Sequence, residues 1–234
     1  MTEPSYTVKV KSGAGWRAFD TARLQISVGQ AYHEGEKFAA TIDWVRDRFK
    51  KVIICVNDTL QRHNLRFEHG MPESTALRLT QDHGMAWVAR NMPVIETLKD
   101  FEIHHWDSWR ALPEYAGQFA EIQSLYENKP DVRDAIEAEV IEFWARRTKR
   151  LGVNEDYRLP SFRKHAIDYL IEETAAFFLM FKRNTATDVY PGSVLIPCLL
   201  GQTYCPEIKP GLLGARAFTR IDFSRREHDA RKAV

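Results

Sequence analysis

The stretch that decides the fold is Thr21 to Asn57, TARLQISVGQAYHEGEKFAATIDWVRDRFKKVIICVN. Its opening, TARLQIS, is a short apolar run that ends on Ser27, and KKVIICVND forms a second, nearly continuous apolar run from Lys50. Runs of that kind fit strands buried on both faces of a parallel sheet. Between them Phe38, Ile42, Val45 and Phe49 recur at spacings of four, three and four, which predicts a helix with one core face. Strand, helix, strand within about forty residues is a βαβ unit. Ser27 is then at the carboxyl end of a parallel strand, where open α/β sheets keep their ligand crevices. Such a serine either merely ends the strand or acts as a nucleophile, and the rest of the chain has to decide.

Working outward, Asp58 is placed to cap a further helix before TLQRHNL. Met71 to Asp100 reads as helical, interrupted or kinked near Gly84 and Pro93. FEIHHW, starting at Phe101, reads as a third strand, and two more helices are expected between about Ala111 and Arg150. The helix from about Ser161 to Arg183 is the most apolar and becomes apolar all round near its end, as in a buried helix. DVYPGSVLIP reads as a turn with a short strand, and ARAFTRIDFSRR as a final strand. No repeat or low-complexity segment interrupts the pattern. The expectation is a single α/β domain over residues 1–234, Rossmann-like, with a mostly parallel central sheet flanked by helices.

Composition narrows the function classes. The 234 residues carry a net charge of +1, which excludes a strongly basic, nucleic-acid-coating protein. No apolar run approaches the ~20 residues of a membrane helix, and MTEPSYTVKVKS lacks the apolar core of a signal peptide. Three cysteines without CxxC spacing suggest neither a disulfide framework nor a zinc site, and a reducing cytoplasm is the simplest setting. Local basic clusters remain, notably WARRTKR at Trp144 to Arg150, which helix ends alone would also explain.

Three places could carry chemistry. Around Ser27, Gly29 is present, but Gln25 stands where a hydrolase elbow needs its first glycine. SVGQAYHEG has the wrong spacing for a dinucleotide fingerprint, and no GKS/T phosphate loop is present. Tyr169 and Glu173, four apart, share a helix face, whereas Glu172 points about a quarter-turn away and can face water. Glu173 precedes TAAFFLMF, so it is expected in apolar surroundings, with a raised pKa or a salt-bridge partner. Tyr190 before Pro191 is biased to an extended conformation, and Gly192 allows a turn. His104 and His105 alternate across a strand, which weakens a shared metal site.

Taken in order, ISVGQAYHEGEKF, NDTLQRHN, YLIEETA and VYPGS resemble the motifs of the tRNA-dependent cyclodipeptide synthases, over roughly Arg23 to Phe223. The Tyr190-Pro191 pair, with Gln30 three after the serine, is similar to the XYP subgroup rather than the NYQ subgroup; Gln25 departs from the usual glycine. The resemblance implies a fold like class Ic (tyrosyl and tryptophanyl) tRNA synthetase catalytic domains and two aminoacyl-tRNAs as substrates. Their esters are already activated, so no metal, ATP or redox cofactor is expected, and no HIGH-like or KMSKS-like motif is visible. It implies Ser27 as nucleophile, Tyr169 and Glu173 as holders of the substrate amino group, Glu173 also as base, and Tyr190 as a positioning or proton-relaying group. Gln25, Gln30, Pro191 and Asn57 are expected to line the substrate site, with Leu24, Asp58, His105 and Phe177 as further pocket candidates, the polar ones among which would favour polar or charged amino acids.

The basic helix that binds the first tRNA in such enzymes corresponds here to Glu73–Lys99, whose cations are only Arg78, Arg90 and Lys99. Part of the tRNA-binding expectation therefore moves to Arg146, Arg147, Lys149 and Arg150. Nothing in the sequence demands more than a monomer. Two other readings stand beside the synthase: a catalytically idle tRNA-binding module of the same fold, and a serine esterase or acyltransferase using Ser27 with an unidentified histidine.

Overall fold

The computed structural model describes residues 5–12, 14–151, 159–183, 185–192, 196–205 and 218–225. The βαβ unit is present: β2 (Thr21–Ile26), α1 (Gly35–Arg46) and β3 (Lys51–Val56), with β2 and β3 parallel and Ile26 opposite Val56. After a single 3₁₀ turn at Thr59–Gln61 come α2 (Arg62–His69), α3 (Glu73–Ile95) and β4 (Phe101–His105). Helices α4 (Trp106–Arg110), α5 (Tyr115–Asn128), α6 (Pro130–Leu151) and α7 (Leu159–Arg183) follow, then β5 (Thr187–Pro191), α8 (Ile196–Tyr204) and β6 (Phe218–Arg225). An N-terminal β1 (Tyr6–Ser12), not expected from the sequence, completes a sheet of order β1-β6-β5-β2-β3-β4. Only β1 runs antiparallel to its neighbour.

This order positions the site. From β2 the chain builds outward through β3 and β4 on one side, and later through β5 and β6 on the other. The direction reverses between β2 and β5, which is where such a sheet opens its crevice at the strands' carboxyl ends. Ser27 follows the end of β2, and Tyr190 and Pro191 are at the end of β5.

Strand alternation divides β2 between two cores. Leu24 and Ile26 join Phe38, Ile42 and Val45 of α1 and Trp87 and Ile95 of α3. On the other face, α7 is buried among α2, α5, α6 and α8, with Phe177, Phe178, Ala175 and Ala176 fully enclosed. Polar side chains of β2 on this side are paired: Arg23 donates to both oxygens of Asp188 at 2.7 and 2.8 Å, and Gln25 Nε2 donates to Asp188 Oδ1 at 2.7 Å. Fully buried charges need such partners, and this pair fastens β2 to β5. Cys55, Cys198 and Cys205 are all buried, and no disulfide occurs among the described residues.

Three expectations are corrected. α3 is one continuous helix rather than a broken one: Pro93 falls in its last turn, two residues before the helix ends, so it marks the end of α3 instead of interrupting it, and Gly84 serves packing. A Cβ on Gly84 would sit 2.2 Å from Asp58 Oδ2, so only glycine lets α3 approach the end of β3 this closely. Glu172 does not face water, because α2 and α4 cover it with Arg62, His63 and Trp106. In DVYPGSVLIP the short strand is the first part of the stretch, within β5, whereas its last residues from Ile196 open α8.

Candidate active site

Ser27 opens a turn closed by the Gln30 N–H donating to the Ser27 carbonyl at 3.2 Å. The third position of that turn needs a positive φ, and Gly29 supplies it at +87° without strain. The turn leaves the Ser27 hydroxyl at the mouth of the β2/β5 crevice, 3.3 Å from Tyr190 Oη. Tyr190 Oη is in turn 2.8 Å from Tyr32 Oη, so three hydroxyls form a chain. Tyr32 was not singled out in the sequence; it sits in the same GQAYHEG run, and only the meeting with β5 reveals it. Burial, then the neighbouring Tyr190, pushes the Tyr32 phenol well above its ordinary range, so it stays protonated. Beside these rings lies His33, whose burial takes it down to about 3; it is neutral and packs at a tilt against Tyr190, ring centroids 5.7 Å apart, rather than serving as a base for Ser27.

The hydroxyl chain borders a cavity of about 600 Å³. Its walls include Ser27, Gln30, Asn57, Tyr169, Glu173, Tyr190 and Pro191, so seven residues from four separate motifs converge on one space. Asp58, Tyr32 and Gln61 also face it. Tyr169 is partly exposed at the cavity, but its phenol is enclosed, which raises it well above the usual value, with Glu173 acting in the same sense; it accepts from Gln61 Nε2 at 3.4 Å. Glu173 is 7% exposed, and burial, with Glu139 across the cavity, pushes its carboxyl up to about 8. No ion pair to Glu173 occurs among the described residues, so of the two alternatives, a raised pKa or a salt bridge, it is the raised pKa that holds there. Asn57 is held by its backbone N–H to Ile26 O at 2.9 Å, while its side-chain Oδ1 is buried without a partner.

Other expected site residues go elsewhere. Gln25 does not line the cavity: it turns to Asp188 and to Met180 Sδ at 3.4 Å, because residue 25 points into the α7 side of the sheet. The substitution for glycine is therefore absorbed by packing behind the site. Leu24 and Phe177 belong to the two cores and do not reach the cavity walls. His105 supports the site from outside, its Nδ1 2.6 Å from Asp58 Oδ2, and this hydrogen bond raises its pKa. His104 turns instead to Glu102 at 3.1 Å, so the pair diverges as the strand alternation requires.

Among the basic candidates, Arg146 and Arg147 of α6 line the cavity rim. Both are engaged: Arg146 with Glu139 and Glu142, Arg147 with Glu68. Three carboxylates, Asp58, Glu68 and Glu139, thus face two guanidiniums around the cavity, with the protonated Glu173 carboxyl beside them, a balance that favours a cationic ligand group. Arg78, Arg90 and Lys99 are exposed on or just after α3, outside the cavity, and Arg90 pairs with Glu34 at 2.8 Å. Lys149 is exposed near the end of α6; the side chain of Arg150 lies outside the described residues.

A mostly parallel sheet of this order, with a serine at its switch point, defines an open α/β class that binds its ligands at the strands' carboxyl ends. Comparison with solved structures narrows it. A cyclodipeptide synthase (CDPS) from Fluoribacter dumoffii matches with a TM-score of 0.84 and 26% identity, over 94% of this chain and 100% of that one. The synthase from Candidatus Glomeribacter gigasporarum, determined bound to Phe-tRNAPhe, matches at 0.63 and 20% identity, over 88% of each chain. A Mycobacterium tuberculosis protein whose structure relates such synthases to type I tRNA synthetases matches at 0.67 and 14%, over 97% and 96%. No protein-family model matches the sequence, and no curated protein does. The chain is a structural relative of the cyclodipeptide synthases, as its four motifs imply.

Proposed function

We propose that this chain is a tRNA-dependent cyclodipeptide synthase of the XYP type, a single catalytic domain working in the cytoplasm on two aminoacyl-tRNAs. The observation that carries the reading is the convergence of Ser27, Tyr169, Glu173 and Tyr190 on one acidic cavity at the sheet's switch point. The reaction runs through two covalent stages. Ser27 Oγ attacks the ester carbonyl of the first aminoacyl-tRNA, the ribose oxygen of the tRNA leaves, and the serine proton passes to it. Serine is a weak nucleophile without a proton acceptor, and the neutral, buried His33 is not one. The departing ribose hydroxyls serve instead, while the Tyr190–Tyr32 pair holds Ser27 Oγ in place.

The bound amino group is gripped by Tyr169 and Glu173. A carboxyl with a pKa of about 8 carries its proton near neutrality until an ammonium ion enters beside it and ionises it. The same group then suits the second stage, since a base works best with a pKa near the working pH. Glu173 takes a proton from the amine of the aminoacyl-Ser27 as that amine attacks the ester carbonyl of the second aminoacyl-tRNA; the second tRNA's ribose oxygen leaves with that proton, and a dipeptidyl-serine remains. The free amine of the dipeptide finally attacks its own serine ester, closes the diketopiperazine and returns the proton to Ser27. Tyr190 orients the serine oxygen in this step. Asn57, with its unpartnered Oδ1, accepts a hydrogen bond from an amino-acid N–H, and Gln30 and Pro191 bound the same space. Arg146 and Arg147 release their carboxylate partners to dock the acceptor end of the tRNA, with Lys149, Arg150 and the α3 cations adding long-range attraction.

The test is expression in a bacterium with its normal charged tRNAs, followed by mass spectrometry of the medium for diketopiperazines, with Ser27→Ala in parallel. A cyclic dipeptide that vanishes in the variant supports the reading and names the amino acids joined. Folded wild-type protein that binds tRNA yet yields no product and no acyl-serine leaves an idle tRNA-binding module.

A further inference from the structure

Where α2 packs on α7, a second cluster of polar side chains lies apart from the chain of hydroxyls. His63 of α2 and His165 and Asp168 of α7 each present one ligand-type atom, and the three atoms lie within 4.8 Å of one another. His165 and Asp168 are three residues apart and so share one helix face, while His63 reaches them from the opposing helix. His63 is only 5% exposed, and its Nε2 is 3.1 Å from Glu172 Oε2. That leaves Nδ1, which is buried and has no hydrogen-bond partner; His165 Nδ1 is buried and unpartnered as well. Buried ring nitrogens are ordinarily satisfied, so two orphans in one cluster call for an occupant.

The backing of His63 is the more telling feature. A histidine that ligates a metal characteristically gives its other ring nitrogen to a carboxylate, which fixes the tautomer and the ring orientation. Glu172 occupies that position, and it is itself fixed by Arg62, Trp106 Nε1 at 2.8 Å and Arg110. We infer that His63, His165 and Asp168 form a site for a divalent first-row transition metal, Zn²⁺ by ligand set, clipping α2 to α7.

Two imidazoles and one carboxylate suit Zn²⁺, with bonds of about 2.0–2.2 Å. Ligand atoms up to 4.8 Å apart close to that geometry through small rotations of His165 and Asp168, both only partly buried. Arg66 and Lys164 act on His165 with like charge, which weakens the site relative to a four-ligand zinc centre. The metal takes no part in acyl transfer; its role is to lock two helices that carry Gln61's neighbourhood and Tyr169. This inference is independent of the synthase reading.

The test uses the full chain stripped with EDTA and then titrated with ZnCl₂ by calorimetry, with Co²⁺ as a spectroscopic probe of nitrogen and oxygen ligation. The expected result is one Zn²⁺ per chain, and a Tm raised by roughly 5–10 °C at about a hundred times the dissociation constant. His165→Ala and Asp168→Asn should each weaken binding by about 10-fold or more, with circular dichroism unchanged. Absence of binding overturns the inference. So does equal affinity in the His165→Ala/Asp168→Asn double variant, which would put the metal on other surface histidines.

Discussion

Glu172 and Glu173 are adjacent on α7 and both nearly inaccessible, 3% and 7% exposed, yet they sit in opposite electrostatic worlds. Glu172 turns toward α2 and α4. Burial alone would raise its pKa, but hydrogen bonds from Arg62 and His63 outweigh that and take it down to about 2. Glu173 turns toward the cavity and Ser27, meets no cation among the described residues, and is held up at about 8. One carboxylate is spent on holding helices together; the other is kept unspent. The difference teaches that burial by itself assigns no role, and that the partner supplied by the next element does.

The comparison breaks first on activity. Glu173→Gln should lower cyclodipeptide formation by about 10²–10⁴-fold, the usual loss on removing a general base, while urea denaturation shows no loss of stability. Unfolding instead would make Glu173 a second structural carboxylate. Glu172→Gln should do the reverse and cost about 3–5 kcal/mol of stability, because Arg62 is left buried beside a neutral amide. A midpoint unchanged within error would show that Glu172 is dispensable to the fold.

Melting against pH sharpens the contrast, because the two groups titrate in opposite senses. Glu173 keeps its proton in the folded chain up to about 8, whereas the unfolded chain loses it near 4.5. Wild-type stability therefore falls as pH rises through that window, at up to about 1.4 kcal/mol per pH unit. Glu173→Gln should melt like wild type at pH 4.5 and higher than wild type at pH 8. Glu139, which faces Glu173 across the cavity, adds to the effect. Glu172, ionised down to about 2 when folded, contributes stability above 4.5 that is lost as the pH falls toward 2. The gap between wild type and Glu172→Gln should close in acid. The smallest effect is expected for Tyr32→Phe, which removes one hydrogen bond behind Tyr190. A loss of about 1 kcal/mol in transition-state stabilisation, roughly five-fold in rate, would be read in single-turnover acylation of Ser27.

The sequence made the βαβ unit legible because its signals are local: continuous apolar strands, a four-three-four helix face and a serine-glycine turn. Tyr169 and Glu173 followed from helical spacing, and their cavity is where β2 and β5 meet. What spacing could not give is which neighbour arrives from far away. Glu172 looked free because Arg62 is 110 residues distant, and Gln25 looked like part of the site because its partner Asp188 is 163 residues distant. Gly84 read as a helix breaker, since nothing along α3 announces the Asp58 side chain pressed against it. Edge strand β1 was missed because its antiparallel partner β6 lies at the other end of the chain.

The pairing of β2 with β5 has a consequence for how the protein is made. Ser27 and Tyr190 are 163 residues apart, and at translation speeds of about 5–20 residues per second their encounter is delayed by roughly ten to thirty seconds. Through that interval the newborn chain shows an apolar strand with one side unclaimed, the kind of edge that invites association with other chains. It also carries a serine with neither Tyr190 nor Glu173 to serve it. On the proposed reading the chain is thus silent on the ribosome, among the very charged tRNAs it would consume, until β5 has emerged.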